Sequence, residues 1–334
     1  MRALRYLVVL AVLLALAAGG AAWWWLRQPL ALSGPNAEVS IEPGTNPRDV
    51  ALAWVAAGVQ TSPRLLYEWF RWSGKAKRIR AGSYEVEAGI TPMQLLDTLV
   101  QGDEALERVR LGEGWTFRQF RAELAKAAHL KPVSAQMGEE ELMAAIGAPK
   151  DQAAEGRFFP DTYAYSRGVS DLTVLKRAHR TMARHLAQTW AARSEGLPLK
   201  SEAELLTLAS IVEKETGRAA DRAKVAAVFV NRLRINMLLQ TDPTIIYGLG
   251  ERFDGNLRKK DLQTDGPYNT YLRGGLPPTP IAMPSLASLK AVVQPEAIKA
   301  LYFVARGDGS SAFSDNLADH NRAVNQYQRG GASK

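Results

Sequence analysis

The chain has 334 residues, of which 46% are hydrophobic and 23% are charged, and its formal net charge is +8. These proportions are typical of a globular protein with about two domains. The absence of cysteine excludes disulfides and thiolate catalysis. The basic residues form no dense block, which argues against a nucleic-acid partner.

Motifs for phosphate, dinucleotide, zinc or serine-nucleophile chemistry are missing from the sequence. There is no Gly-rich phosphate loop and no HExxH, GxSxG or SxxK motif. The four histidines are scattered, and His179 and His185 lie at a spacing that puts them on different faces of a helix. We therefore expect no metal and no cofactor, and carboxylate chemistry remains.

Residues 6–26 are predicted to form a transmembrane helix, because they are an uninterrupted run of apolar and small residues. Arg2 and Arg5 precede the run and favour a cytoplasmic N-terminus, while the tryptophans at 23–25 suit the far membrane interface. Residues 1–28 are assigned to this N-terminus and a single anchor, with the rest of the chain outside the cytoplasm. A cleaved signal peptide is the alternative, because the run contains small residues suited to cleavage.

Residues 36–105 are predicted to form a small α+β module. Its pattern gives two strands, the two helices between them and a third helix, at 39–41, 81–86, 47–57, 63–72 and 91–101. Thr91 and Pro92 are a typical cap and first residue of a helix. The order of elements, together with the segments IEPGT and AGSYEV, resembles a LysM-like glycan-binding module. A spacer without a ligand is the alternative.

Residues 106–152 are predicted to be a connecting region of one strand and two helices, at 107–111, 116–128 and 137–146. The next segment, EGRFFPDTYAYSRG, starts at Glu155 and gathers four aromatic residues around Pro160. Such a cluster is typical of a packed corner, and a sugar platform is the alternative. A long helix is predicted to follow over 172–195.

The segment 201–217 is predicted to be a central helix. Ser201 with Glu204 three residues later indicates a capping box, and Gly217 is a natural stop. At 100° per residue the apolar side chains share one face, which predicts core packing for Leu205, Leu208, Ala209 and Val212.

Glu213 lies at the edge of this apolar face, beside Ala209 and Ser210, whose small side chains are expected to leave room above them. No cation lies three or four residues away from it on the helix. Glu215 lies at the other edge and is expected to form a surface ion pair with Arg218. By helix geometry Glu213 is either a candidate general acid or a carboxylate that bends into solvent or pairs with a distant Arg, and the geometry alone favours the second interpretation.

Two segments after the central helix carry polar and aromatic side chains beside prolines. Residues 237–250 read MLLQTDPTIIYGLG, and residues 265–285 contain five prolines that require a fixed, irregular path. Amide, hydroxyl and aromatic groups on rigid loops suit a sugar site, although polar turn residues more often serve the backbone. The candidate substrate-binding residues are Gln240, Asp242, Thr244, Tyr247, Tyr268, Asn269, Thr270 and Tyr271. A short helix, a β-hairpin and a last helix are predicted at 288–293, 300–314 and 316–329.

Several long motifs in a fixed order identify a resemblance. They are EGRFFPDTYAY, LASIVEKETG, VFVNRLRINMLLQTDPTIIYG, GPYNTYLRGGLPPTPI and LYFVA. Over residues 155–328 the chain closely resembles the endolytic murein transglycosylases of the YceG-like family, and the anchor and the LysM-like module match in layout. The implied fold class is α+β, with a mixed α+β catalytic domain at 153–330 built around the helix that carries Glu213.

The resemblance implies a single-pass inner-membrane enzyme whose catalytic domain faces the periplasm. Such an enzyme cuts the MurNAc–GlcNAc β-1,4 bond inside nascent peptidoglycan strands, leaves 1,6-anhydro-MurNAc ends and so ends glycan elongation. The implied partners are glycan strands and peptidoglycan synthases, and the implied catalytic residue is Glu213, the first Glu of the IVEKET motif.

The mechanism expected from the resemblance uses Glu213 first as an acid towards the leaving oxygen and then as a base towards the C6 hydroxyl of the same MurNAc. Two alternatives stay open. Asp242 could act as a second carboxylate, which would make the protein a muramidase hydrolase. The chain could also be a non-catalytic, membrane-anchored glycan-binding scaffold for the synthases.

The sequence departs from the family pattern in two places. Ser310 and Ser311 stand where the hairpin often carries Gly-His, so a substrate contact of that His is not transferred. Met283, Pro284 and Ser285 stand where the family usually has Asn or Thr before Pro-Gly, so the details of that loop are not transferred either.

Overall fold

The computed structural model describes residues 2–34, 36–42, 44–102 and 106–329. These residues form two compact units. The first unit takes its residues from 1–108, 128–130 and 164–169, and the second from 109–127, 131–163 and 170–334. The division into four parts drawn from the sequence stays a prediction.

The chain begins with helix α1, Arg2–Leu26. Its segment Val8–Leu26 has a mean hydropathy of 2.0 and is long and apolar enough to cross a membrane, and it is the one such helix among the described residues. A signal sequence passes the same test, so the choice between anchor and signal peptide stays a prediction.

The first unit contains the predicted order of strand, two helices and strand. Its elements are β1 (Ala31–Leu32), β2 (Asn36–Ile41), α2 (Pro47–Ala56), β3 (Val59–Gln60), α3 (Pro63–Trp72), β4 (Gly82–Glu87) and α4 (Pro92–Gln101). Strands β2 and β4 pair antiparallel, with Val39 opposite Tyr84, and β1 pairs with β3. Trp54, Phe70 and Tyr84 are completely buried in its core. The likeness to a LysM module stays a prediction.

The N-cap of helix α4 in this unit is the one predicted from the sequence. Thr91 begins α4 with a complete capping box, because its hydroxyl accepts a hydrogen bond from Gln94 N at 3.2 Å and its backbone N–H donates to Gln94 Oε1 at 3.0 Å. Pro92 occupies the first helical turn, where no backbone N–H is needed. Gly102 ends the helix in the left-handed conformation that glycine adopts at low cost.

The remaining elements are two strand pairs and nine helices among the described residues. They are β5 (Leu106–Arg110), α5 (Phe117–Lys126), α6 (Glu139–Ala145), β6 (Thr162–Ser166), α7 (Asp171–Ala191), α8 (Glu202–Glu215), α9 (Ala219–Arg234), α10 (Asp242–Leu249), α11 (Lys259–Gln263), α12 (Leu286–Val293), β7 (Tyr302–Ala305), β8 (Ser311–Ser314) and α13 (Leu317–Val324). Strand β5 pairs with β6, and β7 with β8. The β7–β8 pairing confirms the predicted hairpin and sets Phe303 opposite Phe313.

Helix α8 lies in the middle of the second unit, against α7, α9, α10 and α12. Every residue from 205 to 212 is buried, so the apolar face predicted from the sequence is wider than expected. Ser201 caps the helix by accepting a hydrogen bond from Glu204 N at 3.2 Å. The Glu204 carboxylate accepts from Lys200 N at 2.6 Å, one residue before the partner that a capping box predicts.

Candidate active site

The carboxylate of Glu213 is held by the start of a neighbouring helix. Its Oε2 accepts hydrogen bonds from Ser285 N at 2.8 Å and from Ser285 Oγ at 2.5 Å. Ser285 is the N-cap of α12 and is buried. Within the described part of the chain, Glu213 Oε1 has no hydrogen-bond partner, and the side chain is half-buried.

The open space predicted beside Glu213 is absent, and this prediction was wrong. Ala209 and Ser210 are completely buried. Ser210 Oγ accepts a hydrogen bond from Ile281 N at 2.9 Å and donates to Thr207 O at 2.7 Å. The proline-rich segment therefore packs on Ser210, and the expected room above these small side chains is not open to solvent.

Glu215 also differs from the prediction. Helix α8 ends at this residue, and the chain continues extended at Thr216, with φ −146° and ψ 126°. Arg218 is thus not on the same helix, and the expected ion pair between Glu215 and Arg218 does not form among the described residues. Glu215 instead accepts a hydrogen bond from Thr241 Oγ1.

Glu215 lines a cavity of about 440 Å³. Its wall includes Gln240, Asp242 and Tyr271 of the predicted substrate-binding set, and Arg232 of α9. Tyr271 Oη donates to Asp242 Oδ1 at 2.5 Å, which fixes both side chains in the wall. A half-buried carboxyl group therefore faces a space lined with hydroxyl, amide and carboxylate groups, a composition that suits a carbohydrate.

The electrostatic surroundings of Glu215 favour its neutral form. Burial raises the pKa of Glu215, the hydrogen bond from Thr241 acts in the opposite direction, and the negative charge of Asp242 raises the pKa further. Arg232 lowers the pKa, but its guanidinium donates to backbone carbonyls, at 2.7 Å to Leu301 O and 2.8 Å to Leu239 O. A raised pKa is what a general acid requires near neutral pH.

The predicted substrate-binding residues divide into three groups. Gln240, Asp242 and Tyr271 lie around the cavity with Glu215. Tyr247 and Tyr268 contact each other as an edge-to-face pair with 4.9 Å between ring centroids, away from that cavity wall. Thr244, Asn269 and Thr270 are buried and hold the backbone together. No hydrogen bond joins any of the eight to Glu213 in the described residues.

The buried group explains the shape of the cavity wall. Thr270 Oγ1 accepts a hydrogen bond from Thr241 N at 3.1 Å and lies 2.9 Å from Thr244 Oγ1. Asn269 donates to Leu262 O at 3.0 Å and to Thr264 O at 2.7 Å. These bonds fasten the loop that carries Tyr271 to the start of α10, so their role is to shape the site rather than to face a ligand.

Asp242, Thr244 and Tyr247 lie on helix α10 and not on the rigid loop that the sequence suggested. Pro243 is in the first turn of this helix, where proline is well tolerated. Gln240, two residues before the start of the helix, has a φ of 47°, which is uncommon for a residue other than glycine. The backbone thus turns sharply at Gln240 before the helix starts.

Sequence reasoning missed another carboxylate in the second unit, the buried Glu155. It accepts hydrogen bonds from Phe117 N at 3.0 and 3.2 Å and from Tyr247 Oη at 3.2 Å. Burial raises the pKa of Glu155 to about 7, although these hydrogen bonds lower it. The segment that carries it is a packed corner, as predicted, because Phe158 is completely buried and stacks on Phe117 at 5.0 Å.

Arg232 and Ser285 were also missed as parts of the site. The sequence signal for Ser285 was available, since a serine directly after proline and before an apolar run is a helix-cap pattern. The helix was predicted to start at 288, whereas α12 starts at Leu286. In the described ranges no three His, Cys, Asp or Glu side chains are grouped so as to hold a metal ion.

Comparisons with known proteins point in one direction. The model of the YceG-like family matches residues 39–326. A Bacillus subtilis protein named endolytic murein transglycosylase is 29% identical over 305 residues, which is 86% of this chain and 84% of that protein. A Streptococcus pneumoniae strain D39 protein of the same name is 28% identical over 322 residues, covering 86% of this chain and 58% of that protein.

A solved structure is similar as well. The crystal structure of a putative yceG-like protein from Listeria monocytogenes aligns with a TM-score of 0.54 and 28% sequence identity. The alignment covers 87% of this chain and 99% of that one. The likeness therefore extends over both units and is not confined to the motifs.

Proposed function

The chain belongs to the YceG-like family, and we propose that it is a peptidoglycan-cleaving lyase, an endolytic murein transglycosylase. The names of its relatives support this activity. The observation that carries the proposal is the cavity of about 440 Å³ in which Glu215 stands among Gln240, Asp242 and Tyr271. Such a cavity offers an acid and several groups that can pair with sugar hydroxyls.

The bond cleaved in this proposal is the β-1,4 bond between MurNAc and GlcNAc within a nascent strand. The acid protonates the glycosidic oxygen as the C1–O bond breaks. The same group, now a carboxylate, takes the proton from the C6 hydroxyl as O6 bonds to C1. The products are a 1,6-anhydro-MurNAc end and a free GlcNAc hydroxyl, and the strand stops growing. No water and no protein nucleophile take part.

The acid that the geometry supports best is Glu215. Burial and Asp242 raise its pKa, and three of the predicted sugar-binding residues surround it. Glu213, the residue chosen from the sequence, remains the alternative. The argument for Glu213 is weaker, since the space beside Ala209 and Ser210 is filled and one carboxylate oxygen of Glu213 accepts hydrogen bonds from Ser285.

The other residues have supporting roles in this proposal. Gln240, Asp242 and Tyr271 bind the sugars that flank the scissile bond, and Asp242 helps to stabilise the cation-like transition state. Tyr247 and Tyr268 extend the binding surface. Thr244, Asn269 and Thr270 shape it from behind. Asp242 is also the residue that would activate water if the enzyme were a muramidase hydrolase.

The decisive experiment is digestion of purified sacculi by the full-length protein in detergent, with mass spectrometry of the products. Anhydro-MurNAc ends are expected, whereas reducing MurNAc ends would identify a hydrolase. Glu215→Gln is expected to lose about a thousandfold or more of the activity, because an amide cannot donate the proton. Glu213→Gln is the matched comparison. If it abolishes cleavage while Glu215→Gln does not, the acid is Glu213.

The location and partners belong to the same proposal. Helix α1 anchors the chain in the inner membrane with its N-terminus in the cytoplasm, and the second unit acts on glycan in the periplasm, beside the peptidoglycan synthases. The apolar length of Val8–Leu26 supports the anchor. Arg2 and Arg5 support the orientation.

A further inference from the structure

The last turn of α8 is fastened to two other parts of the second unit. Glu213 Oε2 accepts hydrogen bonds from both the N–H and the hydroxyl of Ser285. Lys214 Nζ donates to Gly114 O at 3.3 Å. Two consecutive side chains of α8 are therefore held immediately before Glu215, the last residue of the helix.

The two anchor points are themselves joined. Gly114 N donates to Met283 O at 2.9 Å, and Met283 N donates to Trp115 O at 2.8 Å. The segment 281–285 thus runs along α8, from the bond at Ser210 to the bond at Glu213, and is tied to the turn at 114–115. Met283 is completely buried, so water has little access to this ladder of hydrogen bonds.

The Ser285 hydroxyl is both a hydrogen-bond donor and a hydrogen-bond acceptor. It donates to Glu213 and accepts from Ser288 N at 3.2 Å, which caps α12. Ser285 is only 3% exposed, so bulk water does not compete for the groups that form its hydrogen bonds. Any residue other than proline would offer the backbone N–H at this position, but the second hydrogen bond to Glu213 comes from the serine hydroxyl.

We propose that Ser285 and Glu213 form a clamp that positions Glu215 towards its cavity. The proposal rests on the proposed function, in which Glu215 is the acid. The end of a helix frays readily because its last carbonyls lack intrahelical partners, and the chain leaves α8 directly after Glu215. A charge-assisted pair of hydrogen bonds at Glu213 opposes this fraying. Ser285 and Glu213 are thus positioning residues that act through Glu215.

The test compares variants of the full-length protein in detergent on purified sacculi. Ser285→Ala keeps the backbone bond and loses the hydroxyl, and kcat is expected to fall about tenfold while KM stays within about twofold. A loosened last turn admits water to Glu215, so the basic limb of the kcat/KM profile moves to lower pH. Ser285→Thr restores the hydroxyl and is expected to recover most of the activity and the original pH profile.

Glu213 supplies the second arm of the test. Glu213→Gln keeps an oxygen that can accept both bonds from Ser285 and is expected to lose about threefold in kcat, against about tenfold for Glu213→Ala. The matched control is Ser170→Ala, which removes the cap that Ser170 gives to α7 without contact to Glu213. Comparison with Ser170→Ala therefore separates the effect of losing the contact with Glu213 from the general loss of stability when a helix cap is removed.

Hydrogen exchange separates the clamp from the proposed function. The amides of residues 213–216 are expected to exchange faster in Ser285→Ala than in Ser170→Ala, whether or not the protein cleaves glycan. Equal exchange in the two variants overturns the clamp. If exchange rises as expected but Glu215→Gln remains active, the proposed acid is wrong and the fastening of the helix end stands. Loss of all activity in Glu213→Gln alone also overturns the clamp, because it makes Glu213 the acid.

Discussion

Glu155 is a buried carboxylate that the proposed reaction does not use. It joins the first turn of α5 to α10, through its bonds to Phe117 N and Tyr247 Oη. Burial raises its pKa from the ordinary 4.5 to about 7, although both hydrogen bonds act in the opposite direction. The protonation state of this link between two elements therefore changes close to neutral pH.

The raised pKa of Glu155 predicts a pH-dependent stability. Because the folded state binds this proton more tightly than the unfolded state, the contribution is complete below pH 4.5 and is lost as pH rises through about 7. The loss amounts to about 3 kcal/mol. Glu155→Gln has no such proton, so its thermal midpoint relative to the wild type is expected to rise between pH 5 and about pH 7 and to level off by pH 8.

The control for this prediction is Glu195→Gln, which changes an exposed glutamate of the same unit. Its midpoint is expected to follow that of the wild type at every pH. Midpoints measured by near-ultraviolet circular dichroism on the detergent-solubilised chain are sufficient. A constant difference between Glu155→Gln and the wild type across this range would mean that Glu155 keeps one protonation state throughout.

Single residues also show how much of the candidate site could be predicted from the sequence. Helical spacing separated Glu213 from Glu215 correctly, since they face different surroundings. It could not reveal that Ser285, 72 residues further along, would bond Glu213. Nor could it show that the helix ends at Glu215, which removes Arg218 as a partner. Long-range contacts decided both environments, and one sequence does not encode them in any local pattern.

At the scale of elements, local signals predicted most of the helices. Thr91 with Pro92 began α4 as expected, and five prolines left residues 265–285 without a helix or strand. Helix α10 was missed because Pro243 was interpreted as a loop residue, although proline is common in the first turn of a helix. A short helix of eight residues also carries too little periodicity to outweigh that signal.

The packing between the corner at 154–157 and the proline-rich segment depends on Gly156. Its φ is 79°, and a Cβ at this position would lie 2.5 Å from Pro280 Cβ. Neither atom can move far, because Pro280 is buried and its ring is rigid. Gly156→Ala is therefore expected to destabilise the protein by about 3 kcal/mol, which lowers the thermal midpoint by several degrees.

A second glycine separates the clash from the backbone strain. Gly196 has a similar φ of 71°, but no atom lies within 4 Å of the position of its Cβ. Gly196→Ala is expected to cost about 1 kcal/mol, because it adds only the strain of a left-handed conformation. Equal shifts of the two midpoints would show that the corner yields to the extra methyl group and that Gly156 is needed only for its φ.

At the scale of the whole molecule, composition and order predicted the α+β class and the long apolar helix at the N-terminus. The grouping of residues into units was less accessible. Residues 128–130 and 164–169 belong to the first unit, although the segments around them belong to the second. A chain that crosses between units in such short segments leaves no boundary in composition, because runs of three and six residues are too short to show a change in it.

The last prediction concerns the orientation of the chain in the membrane. Because the sequence contains no cysteine, a single introduced cysteine can be labelled without background. Ser194 is exposed on the second unit, so Ser194→Cys introduces the one thiol of the chain there, while Ala3→Cys places it before the apolar segment Val8–Leu26. Basic residues before a membrane span favour the cytoplasmic side. In intact spheroplasts, a membrane-impermeant maleimide is therefore expected to label Ser194→Cys fully and Ala3→Cys only after lysis. The reverse pattern would invert the orientation. If the mature chain of Ala3→Cys contains no thiol after lysis, the N-terminal helix is a cleaved signal peptide, and the second unit is not anchored in the membrane as proposed.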